Sequence, residues 1–240
     1  MRIAFFSDVH SNLPAIQAAY ERALAMGAEK FISCGDIVGS GPFPSETIHF
    51  HIEKGIASIR GNIERKIVLK AGKAAGKKKF PDDKKGNLAW TSSRLSPEEN
   101  QWIASLPPDI YFIESGVRIK VTHGSPRSDV DYIYPSITKE ALLSRLDLDI
   151  PDVLVCGHSH IPFVKRVSGI LVVNCGSVGR PVDGDSSGSF AILECRAPRP
   201  TARIVRFKYP LDELASAIRK SGTPGVLLEE YMLGIKVKGA

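Results

Sequence analysis

The 240-residue chain has only four cysteines, no Cys-x-x-Cys pair and no apolar run near the roughly 18 to 20 residues that span a bilayer. Cys34, Cys156, Cys175 and Cys195 are scattered, three of them in or beside apolar runs, so buried free thiols are expected rather than disulfides or a zinc knot. The opening Met1-Arg-Ile-Ala-Phe-Phe-Ser-Asp8 turns polar too soon for a secretory signal, and a cytoplasmic protein is expected. No Gly/Ser or Pro-rich linker and no internal repeat divides the chain, so residues 1–240 are expected to form a single domain. What remains is 43% hydrophobic and 24% charged, an ordinary globular composition that excludes disorder, collagen and a disulfide scaffold. A chain of this length buries roughly 70 to 75% of its unfolded surface without help, so any metal here would serve function rather than folding.

The net charge of +6 and pI near 9.1 suggest an anionic partner, but the excess is local. Between Arg65 and Lys85 stand nine basic and two acidic residues, a local +7 that leaves the rest of the chain at −1. The stretch Lys70 to Lys79 is Lys/Gly/Ala with almost no interleaved aromatics, so it reads as a solvated segment able to steer a phosphorylated substrate. A nucleic-acid partner is compatible but not favoured, and no membrane partner is expected.

Short apolar runs rich in β-branched and aromatic residues predict strands at 3–6, 31–34, 56–59, 117–122, 153–156, 170–173, 190–193 and 204–207. Helical patterns at 13–26 and 45–54 separate the first three, the β-α-β-α-β alternation of a layered α/β domain. Ser96-Pro97-Glu98-Glu99 carries a capping serine, a proline at the first helical position and a glutamate three residues on, so residues 64–105 are expected to form a helical insertion. A short helix is expected near 138–146. Two more, at 211–220 and 223–232, should close the chain.

Five strands stop in metal-competent side chains: Asp8-Val9-His10, Gly35-Asp36, Gly61-Asn62, His123-Gly124 and Gly157-His158-Ser159-His160. Open α/β sheets bind ligands beyond the carboxyl ends of their strands, so these residues should converge on one crevice. Two carboxylates, four imidazoles and one amide oxygen are too many for one ion but suit two neighbours sharing a carboxylate. The mixed oxygen and nitrogen set favours manganese, iron, cobalt, nickel or zinc over calcium. Two carboxylate charges against four from two divalent ions leave a positive site that attracts an anion and a hydroxide, the requirements of phosphoester chemistry.

In this order the five blocks resemble the calcineurin-like metallophosphoesterase superfamily. Asp8-Val-His-Ser-Asn12, Gly35-Asp-Ile-Val-Gly-Ser-Gly-Pro42 and Asn174-Cys-Gly-Ser-Val-Gly-Arg-Pro181 resemble its small bacterial and archaeal phosphodiesterase branch. The resemblance implies a four-layer α/β/β/α sandwich of two packed mixed sheets. It also implies that Asp8, His10, Asp36 and His160 hold one ion, and that Asp36 as bridge, with Asn62, His123 and His158, holds the other. Asn62, His123 and His10 are the residues expected to act in catalysis as well. The implied cofactor is two divalent transition-metal ions, manganese first. The implied reaction is in-line attack on phosphorus by a metal-bridging hydroxide, and the implied substrate is a small phosphodiester or a nucleotide-like molecule.

One block departs from the pattern. The family's third block reads Gly-Asn-His-Asp or Gly-Asn-His-Glu, with the histidine contacting phosphate and protonating the leaving oxygen; here it reads Gly61-Asn62-Ile63-Glu64. Isoleucine does neither, and positioned acid catalysis is worth ~10² to 10⁴ in rate, so poor leaving groups should suffer most. Ile63 also supports a rival reading, a catalytically weak or inactive protein-interaction module on the same fold, which the intact ligand positions oppose. Without its histidine, Glu64 reads as a surface or helix-start residue. Asn12 should cap the following helix. His49 and His51, two apart on a helical pattern, read as surface residues.

Overall fold

A computed structural model describes residues 1–69, 79–146, 149–226 and 228–236. Most of the Lys-rich stretch, residues 70–78, therefore lies outside the described residues. The first half alternates β1 (Arg2–Phe6), α1 (Leu13–Ala25), β2 (Lys30–Ser33), α2 (Pro44–Glu53) and β3 (Ala57–Ser58). The insertion follows as α3 (Asn62–Leu69), α4 (Lys84–Arg94) and α5 (Pro97–Ser105). Then come β4 (Asp109–Glu114), β5 (Val117–Thr122), α6 (Lys139–Leu143), β6 (Val153–Cys156), β7 (Phe163–Val167), β8 (Ile170–Asn174), β9 (Gly188–Glu194), β10 (Thr201–Phe207), α7 (Leu211–Ser221) and α8 (Leu228–Leu233).

The strands form two five-stranded mixed sheets, ordered β10-β9-β1-β2-β3 and β4-β5-β6-β8-β7. In the first, β1, β2 and β3 run parallel; in the second, β5, β6 and β8 do. Strand β1 shows why its residues read as a continuous apolar run: Ile3 and Phe5 enter the core between the sheets, while Ala4 and Phe6 pack under the helices. Ile119, Val121, Val153, Val155, Leu171 and Val173 meet Ile3 and Phe5 from the opposite sheet. Outside the first sheet lie α1, α2, α7 and α8, gathered around Ile16, Ala19, Leu214, Ile218 and Tyr231. The layer outside the second sheet is thinner, built from Ile133, Ile137 and Leu142 of the segment that includes α6. The result is the α/β/β/α sandwich.

Local signals account for the helix starts. Asn12 accepts from Ala15 N at 3.2 Å to cap α1, and Ser96 and Glu99 form the complete capping box of α5. All four cysteines are buried free thiols. Among the described residues no helix is long and apolar enough to cross a membrane.

Three expectations need correction. Strands β4 and β7 were not among the expected ones, because both are edge strands with partly exposed, polar-interrupted patterns; each is drafted into the ladder by its antiparallel neighbour. The last helix starts at Leu228 rather than Thr223, since Pro224 and Gly225, the latter at φ +64°, make a turn first. His51 is buried rather than on the surface: α2 turns it inward, where its Nδ1 lies 2.8 Å from the Thr47 carbonyl and its Nε2 has no partner. His49 does face solvent, 3.0 Å from Glu99.

Burial pushes the His51 imidazole down to about 4, with the bond to Thr47 only partly opposing it. The unfolded chain takes up this proton near pH 6.5, whereas the folded chain resists it until about 4, so this stability is intact above 6.5 and drains away as pH falls toward 4. The loss amounts to about 3 kcal/mol at most. Urea unfolding at pH 7.5 and pH 5 should show a smaller acid loss for His51→Leu than for the native protein; identical losses would contradict this assignment.

Candidate metal centre

All seven expected ligand residues meet at the carboxyl ends of β1, β2, β3, β5 and β6, although 152 positions separate Asp8 from His160. Backbone bonds stitch the strand-end loops together: Asp8 N donates to Gly35 O at 3.0 Å, His10 N to Asp36 O at 3.0 Å, and Gly157 N to His123 O at 2.8 Å. Asp8, His10, Asp36, His158 and His160 all sit in the left-handed region, with φ between 52° and 62°. Such conformations cost of order 1–2 kcal/mol each for ordinary residues and persist where surrounding structure imposes them, typically at functional sites. Gly61 and Gly157 allow the close approach, since a Cβ at Gly61 would strike Asp36 and one at Gly157 would strike Ser7 and Asp8.

The side chains form two trios, Asp8–His10–His160 and Asp36–His123–His158, each with its ligand atoms within 4.8 Å of one another. In the first, His10 Nε2 and His160 Nε2 stand 3.3 Å apart, and Asp8 Oδ1 is 3.1 Å from His160 Nε2. In the second, His123 Nε2 is 3.2 Å from His158 Nδ1 and 3.0 Å from Asn62 Oδ1. Asp36 Oδ2, part of the second trio, also faces the first: it lies 3.5 Å from His123 Nε2 and 4.0 Å from His10 Nε2. Its other oxygen, Oδ1, accepts from Ile63 N at 2.8 Å.

The far side of each ring decides what faces inward. His123 Nδ1 donates to Cys34 O at 2.8 Å and His160 Nδ1 to Arg180 O at 2.6 Å, so in both rings it is Nε2 that faces into the site. Asp8 Oδ1, 3.1 Å from His160 Nε2, is buried without a hydrogen-bond partner. Asp8 Oδ2, by contrast, accepts from Ser7 Oγ at 2.6 Å and His158 N at 2.9 Å. Asn62 Oδ1 likewise faces only acceptors; rotated, its amide would donate to His123, His158 and Asp36. Lone pairs crowded this closely need a cation or a proton between them.

Protons go only part of the way. Burial, then the neighbouring His160, pushes His10 down to about 3; burial and His123 lower His158. Burial opposes charge on His123 too, but Asp36 outweighs it and raises the ring to about 10. Burial alone would raise Asp8, yet His160, His123 and His10 hold it well below the usual carboxylate range. Two ionised carboxylates beside two imidazoles that resist protonation fit divalent cations, and the mixed donors suit the borderline transition ions rather than calcium.

Glu64 is neither a surface residue nor merely a helix starter. It is fully buried and accepts from Asp36 N at 2.9 Å, Val38 N at 3.1 Å and Gly61 N at 2.9 Å, holding the backbone on both sides of the shared carboxylate. Burial, then Asp36, raises its carboxyl to about 7. The spacing Gly-Asn-x-Glu was visible in the sequence, but its acceptor role depends on a loop 26 to 28 positions away. Ile63 lines the cleft above the trios and packs over Gly39. The cleft measures about 710 Å³, and Lys66, Lys84, Tyr132, Tyr134 and Arg180 also line it. Lys84 belongs to the basic 65–85 segment, whereas Tyr132 and Tyr134 gave no signal in sequence, because nothing in their spacing ties them to the strand ends. Asn12 acts as the expected cap and also donates to Gly179 O at 2.8 Å, tying the site to the 174–181 turn.

A crevice at the carboxyl ends of two packed sheets, lined by paired Asp/His trios and opening toward lysines, defines a metallophosphoesterase. Residues 1–197 match the calcineurin-like phosphoesterase superfamily domain, and the chain belongs to that family. It is 29% identical to an uncharacterized protein of Methanocaldococcus jannaschii over 97% of this chain and 98% of that one. It is 23% identical to phosphodiesterase YfcE of Escherichia coli K12, over 81% and 88%. The crystal structure of a metallophosphoesterase from Sphaerobacter thermophilus superimposes with a TM-score of 0.77 at 28% identity, covering 98% of this chain and 99% of that one.

Replacing Glu64 by Ala would leave three buried N–H groups unpaired at about 1–3 kcal/mol each, so Glu64→Ala should unfold at markedly lower urea and Glu64→Gln at an intermediate concentration. A midpoint unchanged in Glu64→Ala would remove this carboxylate from the architecture of the site.

Proposed function

We propose that the chain is a dinuclear-metal-dependent phosphodiesterase acting on small phosphodiesters. The observation that carries this reading is the position of Asp36 Oδ2 within 4.0 Å of imidazole nitrogens from both trios. Asp8, His10 and His160 would hold one divalent ion, and Asn62, His123 and His158 the other, with Asp36 shared. Such an ion pair supplies a hydroxide nucleophile near neutral pH and stabilises charge on the attacking and leaving oxygens. Manganese is the first choice, with iron, nickel, cobalt and zinc compatible with the same donors.

The chain's own residues supply orientation and exclusion. Cys34 O and Arg180 O fix the two ring tautomers, Ser7 and His158 N fix Asp8, and Ile63 N fixes Asp36. Ile63 stands on the cleft wall as an apolar side chain and delivers no proton to a departing oxygen. That favours diesters with acidic leaving groups over monoesters, in keeping with the diesterase name of the Escherichia coli relative. Ile63 also supports the rival reading of an inert binding module on this fold.

Purified protein should carry about two transition-metal ions per chain by elemental analysis and hydrolyse bis(p-nitrophenyl) phosphate with manganese. Asp36→Ala should lose one or both ions and fall to background turnover; full activity in that variant contradicts a shared ligand. Ile63→His should raise monoester hydrolysis, by up to about 10²-fold if the missing acid limits it. Metal-loaded native protein inert toward every diester tried would instead support the binding module.

A further inference from the structure

One feature of the cleft is unused by the ion pair and its supports: an aromatic ladder that begins at a ligand residue. The Tyr132 ring stacks on His158 with centroids 4.5 Å apart and planes 29° apart, and Tyr134 stacks on Tyr132 at 5.5 Å and 6°. Both tyrosines line the cleft, yet they remain 47% and 43% exposed. Large rings held half in water beside a polar site make a poor core contribution and a good landing surface.

Backbone alternation explains their alignment. Ile133, between them, is fully buried against Leu142, Leu154 and Cys156, so its neighbours are turned the other way together. Asn174 donates to Ile133 O at 3.3 Å and to Gly157 O at 2.9 Å, joining the tyrosine segment to the loop that carries His158. The ladder is therefore built on the same support as the ligand residue and is pre-set before anything binds. Lys66 and Lys84, from the helical insertion, line the same cleft and supply positive charge.

We propose that this surface binds a planar aromatic group of the substrate, which makes the substrate class a phosphoester of a nucleoside. The base stacks on the outer face of Tyr134, which Tyr132 backs, the scissile phosphate lies over the trios, and Lys66 and Lys84 face the remaining anionic charge. Stacking of this kind tolerates any base, because every base offers a π-face. The proposal deepens the phosphodiesterase reading and rests on it for where the phosphate sits.

Binding separates the two claims. Titration calorimetry of the manganese-loaded protein with adenosine monophosphate and with ribose 5-phosphate compares ligands that differ only in the base. The nucleotide should bind at least about tenfold more tightly. Tyr134→Ala should erase that advantage and Tyr134→Phe should keep it; Tyr134 is exposed, so neither change threatens folding. Kinetics add a second arm, in which thymidine 5′-(p-nitrophenyl phosphate) and methyl p-nitrophenyl phosphate share one leaving group. The ratio of their kcat/KM values should fall about tenfold in Tyr134→Ala. Equal affinities in the native protein, binding of neither ligand, or a preference that survives Tyr134→Ala would overturn the proposal. A base preference that behaves as expected in a protein that hydrolyses no diester would sink the phosphodiesterase reading and leave the nucleoside surface standing.

Discussion

Asp36 is held from three directions, and most of the site follows from that. Its Oδ1 accepts from Ile63 N, its own N–H is held by Glu64, and its Oδ2 faces imidazole nitrogens of both trios. A carboxylate oxygen so placed concentrates negative charge between them. The inward-facing Nε2 atoms of His123 and His160 line the same space. In a buried site, where charge is poorly screened, that concentration favours a cation or a proton between the donors.

The supports of this arrangement are themselves polar and buried, and they are shared. Glu64 serves the loops after β2 and β3, Asn174 ties the tyrosine segment to the His158 loop, and Asn12 links the start of α1 to the 174–181 turn. Five left-handed backbone positions would be unfavourable in an isolated loop. Here the β1, β2, β5 and β6 ends impose them, and the apolar core between the two sheets keeps those ends in place. Stability and the placement of the inward-pointing residues thus come from the same strands.

The insertion and the tyrosine segment complete the cleft from opposite parts of the chain. One brings positive charge in Lys66 and Lys84, the other an aromatic face, and Ile63 lies on the wall as an apolar side chain. Chemistry and recognition are consequently separable. The Asp/His trios stand at strand ends, while the lysines, Ile63 and the tyrosines stand on α3, α4 and the 130–134 segment.

Much of this was legible without coordinates. The apolar runs determined the parallel strands, because strands buried on both faces must be nearly continuous in Val, Ile, Leu and Phe. The polar residues ending those runs pointed to the seven side chains that gather at the cleft, because side chains beyond parallel strand ends meet in one crevice. Edge strands β4 and β7 were decided only in three dimensions, since a partner's ladder rather than their own pattern makes them strands. The same holds for Glu64, two of whose three donors come from a loop 26 to 28 positions away, for His51, turned inward by α2, and for the Tyr132–Tyr134 ladder, aligned by the burial of Ile133. Hydrophobic periodicity is a local property and survives in one dimension; hydrogen-bond partners and ring stacking are relations between distant segments, and only packing creates them.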